Sequence, residues 1–157
     1  MDKVKIGKKI PVFEAPATGG QTVKSSDFKG KRLVLYFYPK NNTPGCTIEG
    51  RDFRDNVKKF KALHAVILGV SRDSLKSHEN FKEQECFPFE LLSDPDEKLC
   101  RMFDVIKEKN MYGKKVMGIE RSTFLIDENG KLRNEWRKVK VDGHVAEVLD
   151  AVRQLAK

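Results

Sequence analysis

The chain has 157 residues, 39% hydrophobic and 34% charged, enough for one compact domain whose core closes without disulfides or metal. Its 31 basic and 23 acidic side chains leave a net charge of +8, but the lysines are mixed with acids, as in Lys107-Glu108-Lys109, with no zinc finger or glycine-rich RNA motif beside them. That pattern is a solvated surface, not a specific nucleic-acid footprint.

The first residues, Met1 to Gly7, lack the apolar run of a signal peptide, and no stretch is long enough to cross a bilayer. Three cysteines, an odd number widely spaced, do not resemble a secreted disulfide framework and point to a reducing cytoplasm. Continuous apolar runs of buried-strand type lie at Leu33–Tyr38 and Ala65–Ser71. Between them Phe53, Val57 and Phe60 recur at i, i+4 and i+7, which predicts a helix with one buried face. Residues 74–84 continue as a polar helix carrying Leu75 and Phe81, and 89–92 form a short strand. Ser93-Asp94-Pro95 is expected to cap a helix holding Leu99, Met102 and Phe103.

Residues 107–118 read as a glycine-containing polar loop leading to a strand at Ser122–Ile126. Glu128-Asn129-Gly130 is a hairpin signal joining that strand to another at 132–139. A last helix, about 143–156, presents Val145, Val148, Leu149, Val152 and Leu155 on one face. The alternation predicts an α/β fold with a largely parallel centre, and residues 1–157 carry no linker or repeat that would divide them.

The residue that stands out chemically is Cys46. The strand ending at Tyr38 is followed by Pro39 and a polar turn, and a helix starts at about Thr43. Thr43 is a suitable N-cap and Pro44 suits the first helical position. Cys46 then falls in the first turn, where free N–H groups and the helix dipole favour a negative charge. The thiolate is the reactive form of cysteine. Cysteine is also a common core residue, but a capped helix start does not by itself call for a thiol there. A dithiol Cys-x-x-Cys motif is excluded, because Glu49 occupies the fourth position. His64, His78 and His144 show no metal-pair spacing with the cysteines and are expected at the surface or in loops.

The motif Pro39-x-x-x-Thr43-x-x-Cys46, within Tyr-Phe-Tyr-Pro-Lys-Asn-Asn-Thr-Pro-Gly-Cys-Thr-Ile-Glu, resembles the active-site loop of the peroxiredoxins, in particular the peroxiredoxin Q or bacterioferritin comigratory protein branch. Leu91-Leu92-Ser93-Asp94-Pro95, the loop 113–120 and Arg121-Ser122-Thr123-Phe124-Leu125-Ile126-Asp127 extend the resemblance over nearly the whole chain. It implies a thioredoxin-like fold, a central mixed β-sheet flanked by helices, with the peroxiredoxin N-terminal extension. It also implies that Cys46 attacks hydroperoxides and becomes a sulfenic acid. By the same resemblance Thr43 would meet the sulfur and the peroxide, Pro39 would shield the thiol, and Arg121 would serve as its distant cationic partner. Glu49 could orient Arg121 by a charge-assisted pair, or could simply be a first-turn acid.

The implied partners are a hydroperoxide and a thiol reductant such as thioredoxin, glutaredoxin or glutathione, with no cofactor, no metal, no membrane and no specific nucleic acid, the protein acting as a monomer. The chain departs from the branch in its resolving thiol: the two usual positions hold Arg51 and Lys82. Cys86 is the nearest substitute, four residues or roughly 6 Å along a helix from Lys82. Cys100 is expected in the core. Resolution by Cys86, resolution by an external thiol, and a redox-sensing or chaperone-like role for the same cysteine all stay open at this point.

Overall fold

A computed structural model describes residues 3–156. Its main sheet has seven strands in the order β2-β1-β5-β4-β3-β8-β9. These are β1 (Glu14–Ala17), β2 (Gln21–Lys24), β3 (Arg32–Phe37), β4 (Ala65–Ser71), β5 (Glu90–Ser93), β8 (Ser122–Ile126) and β9 (Leu132–Trp136). The central β3, β4 and β5 are parallel, whereas β8 and β9 add antiparallel on one side and the β1–β2 pair on the other. The sheet is therefore mixed, as expected.

The parallel centre follows from its composition. Leu33 to Tyr38 are all buried, so both faces of β3 must be covered by other elements. On one face lie α1 (Pro44–Ala62), α2 (Leu75–Glu85) and α4 (His144–Leu155). Their Phe53, Phe60, Phe81, Val148 and Val152 pack with Val34 and Tyr36 of β3. On the other face Leu35 and Phe37 meet Leu99 and Phe103, from and just after the short α3 (Lys98–Met102), together with Phe13 and Phe124.

Three expectations need correction. Residues 107–118 are not a loop: they build a separate antiparallel hairpin of β6 (Ile106–Met111) and β7 (Lys114–Ile119). Its strands carry mostly exposed side chains, so no buried-face alternation marked them. His78 and His144 are fully buried, not surface or loop residues. The third helix begins only at Lys98, with Glu97 in a left-handed conformation before it. Asp94 still serves that helix, accepting from the amides of Leu99 and Cys100 at 3.1 and 2.8 Å. The edge strands β1 and β2, four residues each, gave too short a pattern to anticipate.

Among the described residues no helix is long and apolar enough to cross a membrane.

Candidate active site

The chain leaves β3 through Tyr38 and Pro39, turns at Asn42 with φ of 63°, and enters α1 at Pro44. Thr43 is the N-cap residue in extended conformation, but its side chain does not cap the helix. Its hydroxyl instead donates to the Lys40 carbonyl at 2.9 Å, while its own carbonyl accepts from the amide and hydroxyl of Thr47. Among the described residues the amides of Gly45 and Cys46 have no acceptor within the chain. They are the orphan donors that any helix start leaves, and they favour an anion nearby.

Cys46 is 2% exposed, packed in the core cluster that contains Tyr36, Tyr38 and Phe53. Ser122 at the start of β8 pairs with Phe37 at the end of β3. Arg121 therefore emerges beside the strand end from which the Cys46 loop departs. Its backbone is held there by the Val139 amide, which donates to the Arg121 carbonyl at 3.0 Å. From this position Nη2 donates to the Cys46 sulfur at 3.3 Å and Nη1 to Glu49 Oε1 at 2.6 Å. Gly45 leaves room for the guanidinium, since a Cβ there would crowd Nη2 at 3.1 Å.

Glu49 follows Cys46 by three residues and so shares its helix face. It is fully buried, and its Oε2 has no partner among the described residues. Burial pushes its carboxyl up to about 7, against the opposing pull of Arg121. Burial works against the Arg121 charge too, but Glu49 and Cys46 more than offset it and hold the guanidinium above its ordinary value. The Cys46 sulfur thus has a permanent cation in contact and stands in the first turn of a helix whose opening amides are free. The same donors would bind the oxygens of a small polar substrate.

The AhpC/TSA family model matches residues 6–135. Peroxiredoxin Bcp of Bacillus subtilis is 55% identical over 98% of both chains. A solved structure of Xanthomonas campestris peroxiredoxin Q is 54% identical with a TM-score of 0.89, covering 92% of each chain. A cysteine-to-serine variant of Xylella fastidiosa PrxQ covers both chains fully at 44% identity and a TM-score of 0.94. The chain belongs to the AhpC/TSA family, in its peroxiredoxin Q/Bcp branch. Its fold is the thioredoxin-like one of these peroxiredoxins, and it is a thiol-dependent peroxidase, an oxidoreductase that takes a peroxide and a thiol reductant.

Of the residues this peroxiredoxin was expected to use, the fold brings Cys46 and Arg121 into contact and adds Glu49 to the pair. Thr43 and Pro39, both half-buried, lie on the same loop, but the Thr43 hydroxyl is engaged by Lys40 and not by the sulfur. Cys86 is exposed at the C-cap of α2, in left-handed conformation with φ of 55°. That helix end is tied to α1 in three ways: Arg51 donates to both Glu85 carboxylate oxygens, Arg54 donates to the Glu85 carbonyl, and the Phe87 ring packs on Gly50. Cys100 is wholly buried, and burial drives its thiol far up, away from the reactive form.

Sequence reasoning missed two residues around the site. Tyr36 is buried against Phe53 with ring centroids 4.6 Å apart, and its hydroxyl is raised well above the ordinary value by burial, then by Tyr38, Glu49 and Cys46. His144 lies 2.7 Å from the Thr123 hydroxyl and is lowered to about 4 by burial and by the Arg121 charge. Neither had a sequence signal beyond its type, because strand pairing and helix packing put them there.

Proposed function

We propose that Cys46 is the peroxidatic thiol of a peroxidase for hydrogen peroxide and organic hydroperoxides, and that Arg121, Thr43 and Pro39 complete its site. The observation that carries this reading is the 3.3 Å contact from Arg121 Nη2 to the Cys46 sulfur at a helix start with free amides. The Cys46 thiolate attacks the terminal peroxide oxygen, so that an S–O bond forms as the O–O bond breaks. The leaving oxygen takes a proton to become water or an alcohol, and Cys46 is left as a sulfenic acid. Arg121 and the amides of Gly45 and Cys46 stabilise the charge passing to the leaving oxygen. Thr43, once its hydroxyl turns from the Lys40 carbonyl, would meet the bound peroxide, and Pro39 keeps water from the sulfur. The Xanthomonas campestris bacterioferritin comigratory protein, 54% identical, is described with trapped-intermediate and ligand-complex structures of its alkyl peroxide reduction, which supports organic hydroperoxides as substrates.

On this reading residues 1–157 act as a single monomeric domain in the cytoplasm. Cys86 then condenses with the sulfenic acid, releasing water and leaving a Cys46–Cys86 disulfide. The support is the attachment of its helix end to α1 through Arg51, Arg54 and Gly50. Thioredoxin, glutaredoxin or glutathione returns the disulfide to two thiols. Peroxide consumption with each reductant tests the scheme. Cys46→Ser is expected to consume none above background, and wild-type turnover in that variant would overturn it. Mass analysis after one equivalent of peroxide should show the disulfide in wild type and a persistent sulfenic acid in Cys86→Ser. A sulfenic acid in both would instead assign resolution to an external thiol.

A further inference from the structure

The loop that delivers Cys46 is fastened by a buried polar cluster away from the thiol. Asn41 is polar yet only 4% exposed, and every polar group of its side chain is engaged. Its backbone amide donates to Asp73 Oδ2 at 2.9 Å, and its side-chain Oδ1 accepts from the Tyr38 hydroxyl at 2.6 Å. Its Nδ2 reaches both Ser77 Oγ and His78 Nδ1 at 3.0 Å. His78 is fully buried on the first turns of α2, with Nε2 3.5 Å from Ser71 Oγ at the end of β4. A buried polar group with its partners satisfied holds one geometry, and losing a partner costs its full desolvation. Asn41 is thus the peg that joins the 39–43 loop to α2.

We propose that Asn41 and His78 are positioning residues for Cys46, holding the loop so that the sulfur meets Arg121, and that His78 does this only as a neutral ring accepting at Nδ1. The proposal rests on Cys46 being the reacting thiol. The hydrogen-bond roles require the neutral ring. Asn41 Oδ1 accepts from Tyr38, so Nδ2 is the donor facing His78, and Nδ1 must accept. Protonation at Nδ1 would set two donors against each other. Facing the imidazole are the Tyr38 hydroxyl just after β3, Ser71 with its carbonyl from β4, the Leu92 carbonyl from β5, Asp73 in the turn and Glu79 on α2. Burial outweighs the pull of these groups and keeps His78 below its ordinary value. The loop is therefore held across neutral pH and released as the ring protonates in acid. This pair joins the loop before α1 to the start of α2, and the Arg51–Glu85 contact joins α1 to the Cys86 end of α2.

The test measures the second-order rate of Cys46 oxidation by hydrogen peroxide from about pH 8 down to the acid limit at which wild type stays folded, with a thermal melt for each variant at each pH. His78→Phe keeps the bulk and deletes the acceptor, and should slow oxidation about 10-fold, the effect of one lost buried hydrogen bond. His78→Gln keeps an acceptor that does not titrate. It should stay within about threefold of wild type at pH 7, since its hydrogen bond is retained, and its rate relative to wild type should rise as pH falls below the ordinary histidine range. A folded His78→Phe protein that oxidises at the wild-type rate would overturn the proposal. So would a His78→Gln to wild-type ratio constant with pH, and that comparison decides the matter even if His78→Phe does not fold. Failure of the underlying reading looks different: Cys46→Ser would then retain peroxidase activity whatever stands at position 78.

Discussion

Arg121 Nη2 lies 3.3 Å from the sulfur of Cys46, across 75 residues of sequence, and the same guanidinium reaches Glu49 Oε1 at 2.6 Å. One planar fork therefore serves two acceptors at once. Lysine, a single ammonium on a flexible stem, cannot reproduce that geometry.

Arg121→Lys is accordingly expected to lower kcat/KM for hydrogen peroxide by about 10- to 100-fold, the range of one to two charge-assisted hydrogen bonds. Steady-state peroxide consumption with an excess of reductant measures it, and a variant within twofold of wild type would show that the fork is not needed.

Glu49 sets a stability window. Its folded value of about 7 lies above its ordinary one because it is buried, so the fold favours the neutral acid. That contribution is complete in acid below the ordinary glutamate range and is lost as pH rises through about 7. Urea unfolding of wild type should show this loss of stability as pH rises from the ordinary value of 4.5 to about 7. Glu49→Gln, neutral throughout, should be flatter over the same window, and identical slopes would refute the assignment.

His144 acts in the opposite direction. Its folded value is depressed to about 4, so its contribution is present above the ordinary histidine range and is lost as pH falls toward 4. His144→Gln can still meet the Thr123 hydroxyl without titrating. Melting temperatures from pH 7 to 4 should therefore fall less steeply in that variant than in wild type.

Gly50 is the contact that lets the segment after Cys86 lie on α1. A Cβ at this position would overlap the Phe87 ring, and Phe87 is fixed by the stacked Phe89 ring with centroids 5.0 Å apart. Gly50→Ala should cost about 1–3 kcal/mol through overpacking, despite alanine's better helix propensity. Denaturant unfolding checks the sign, and a stabilised variant would mean that the ring moves freely.

The sheet and helices were legible where periodicity is strong. The apolar runs at β3 and β4 and the one-sided faces of α1 and α4 fell close to where the residue pattern put them. The exposed β6–β7 hairpin was not legible, because side chains that face solvent carry no period of two. The burial of His78 and His144 was equally hidden, since a histidine's type does not reveal whether a helix turns it inward.

By itself, the sequence determined that a thiol stands in the first turn of a helix after a buried strand, with no second cysteine positioned for dithiol exchange. Those are local facts, decided by residue type, spacing and the free donors of a helix start. Only the tertiary structure decided what surrounds that thiol. The pairing of β8 with β3 carries Arg121 to the sulfur, burial turns Glu49 into a group poised near neutral pH, and packing of α2 against the loop makes His78 a partner of Asn41. These contacts join residues far apart in the chain, and their distances and dielectric surroundings exist only once the sheet has assembled.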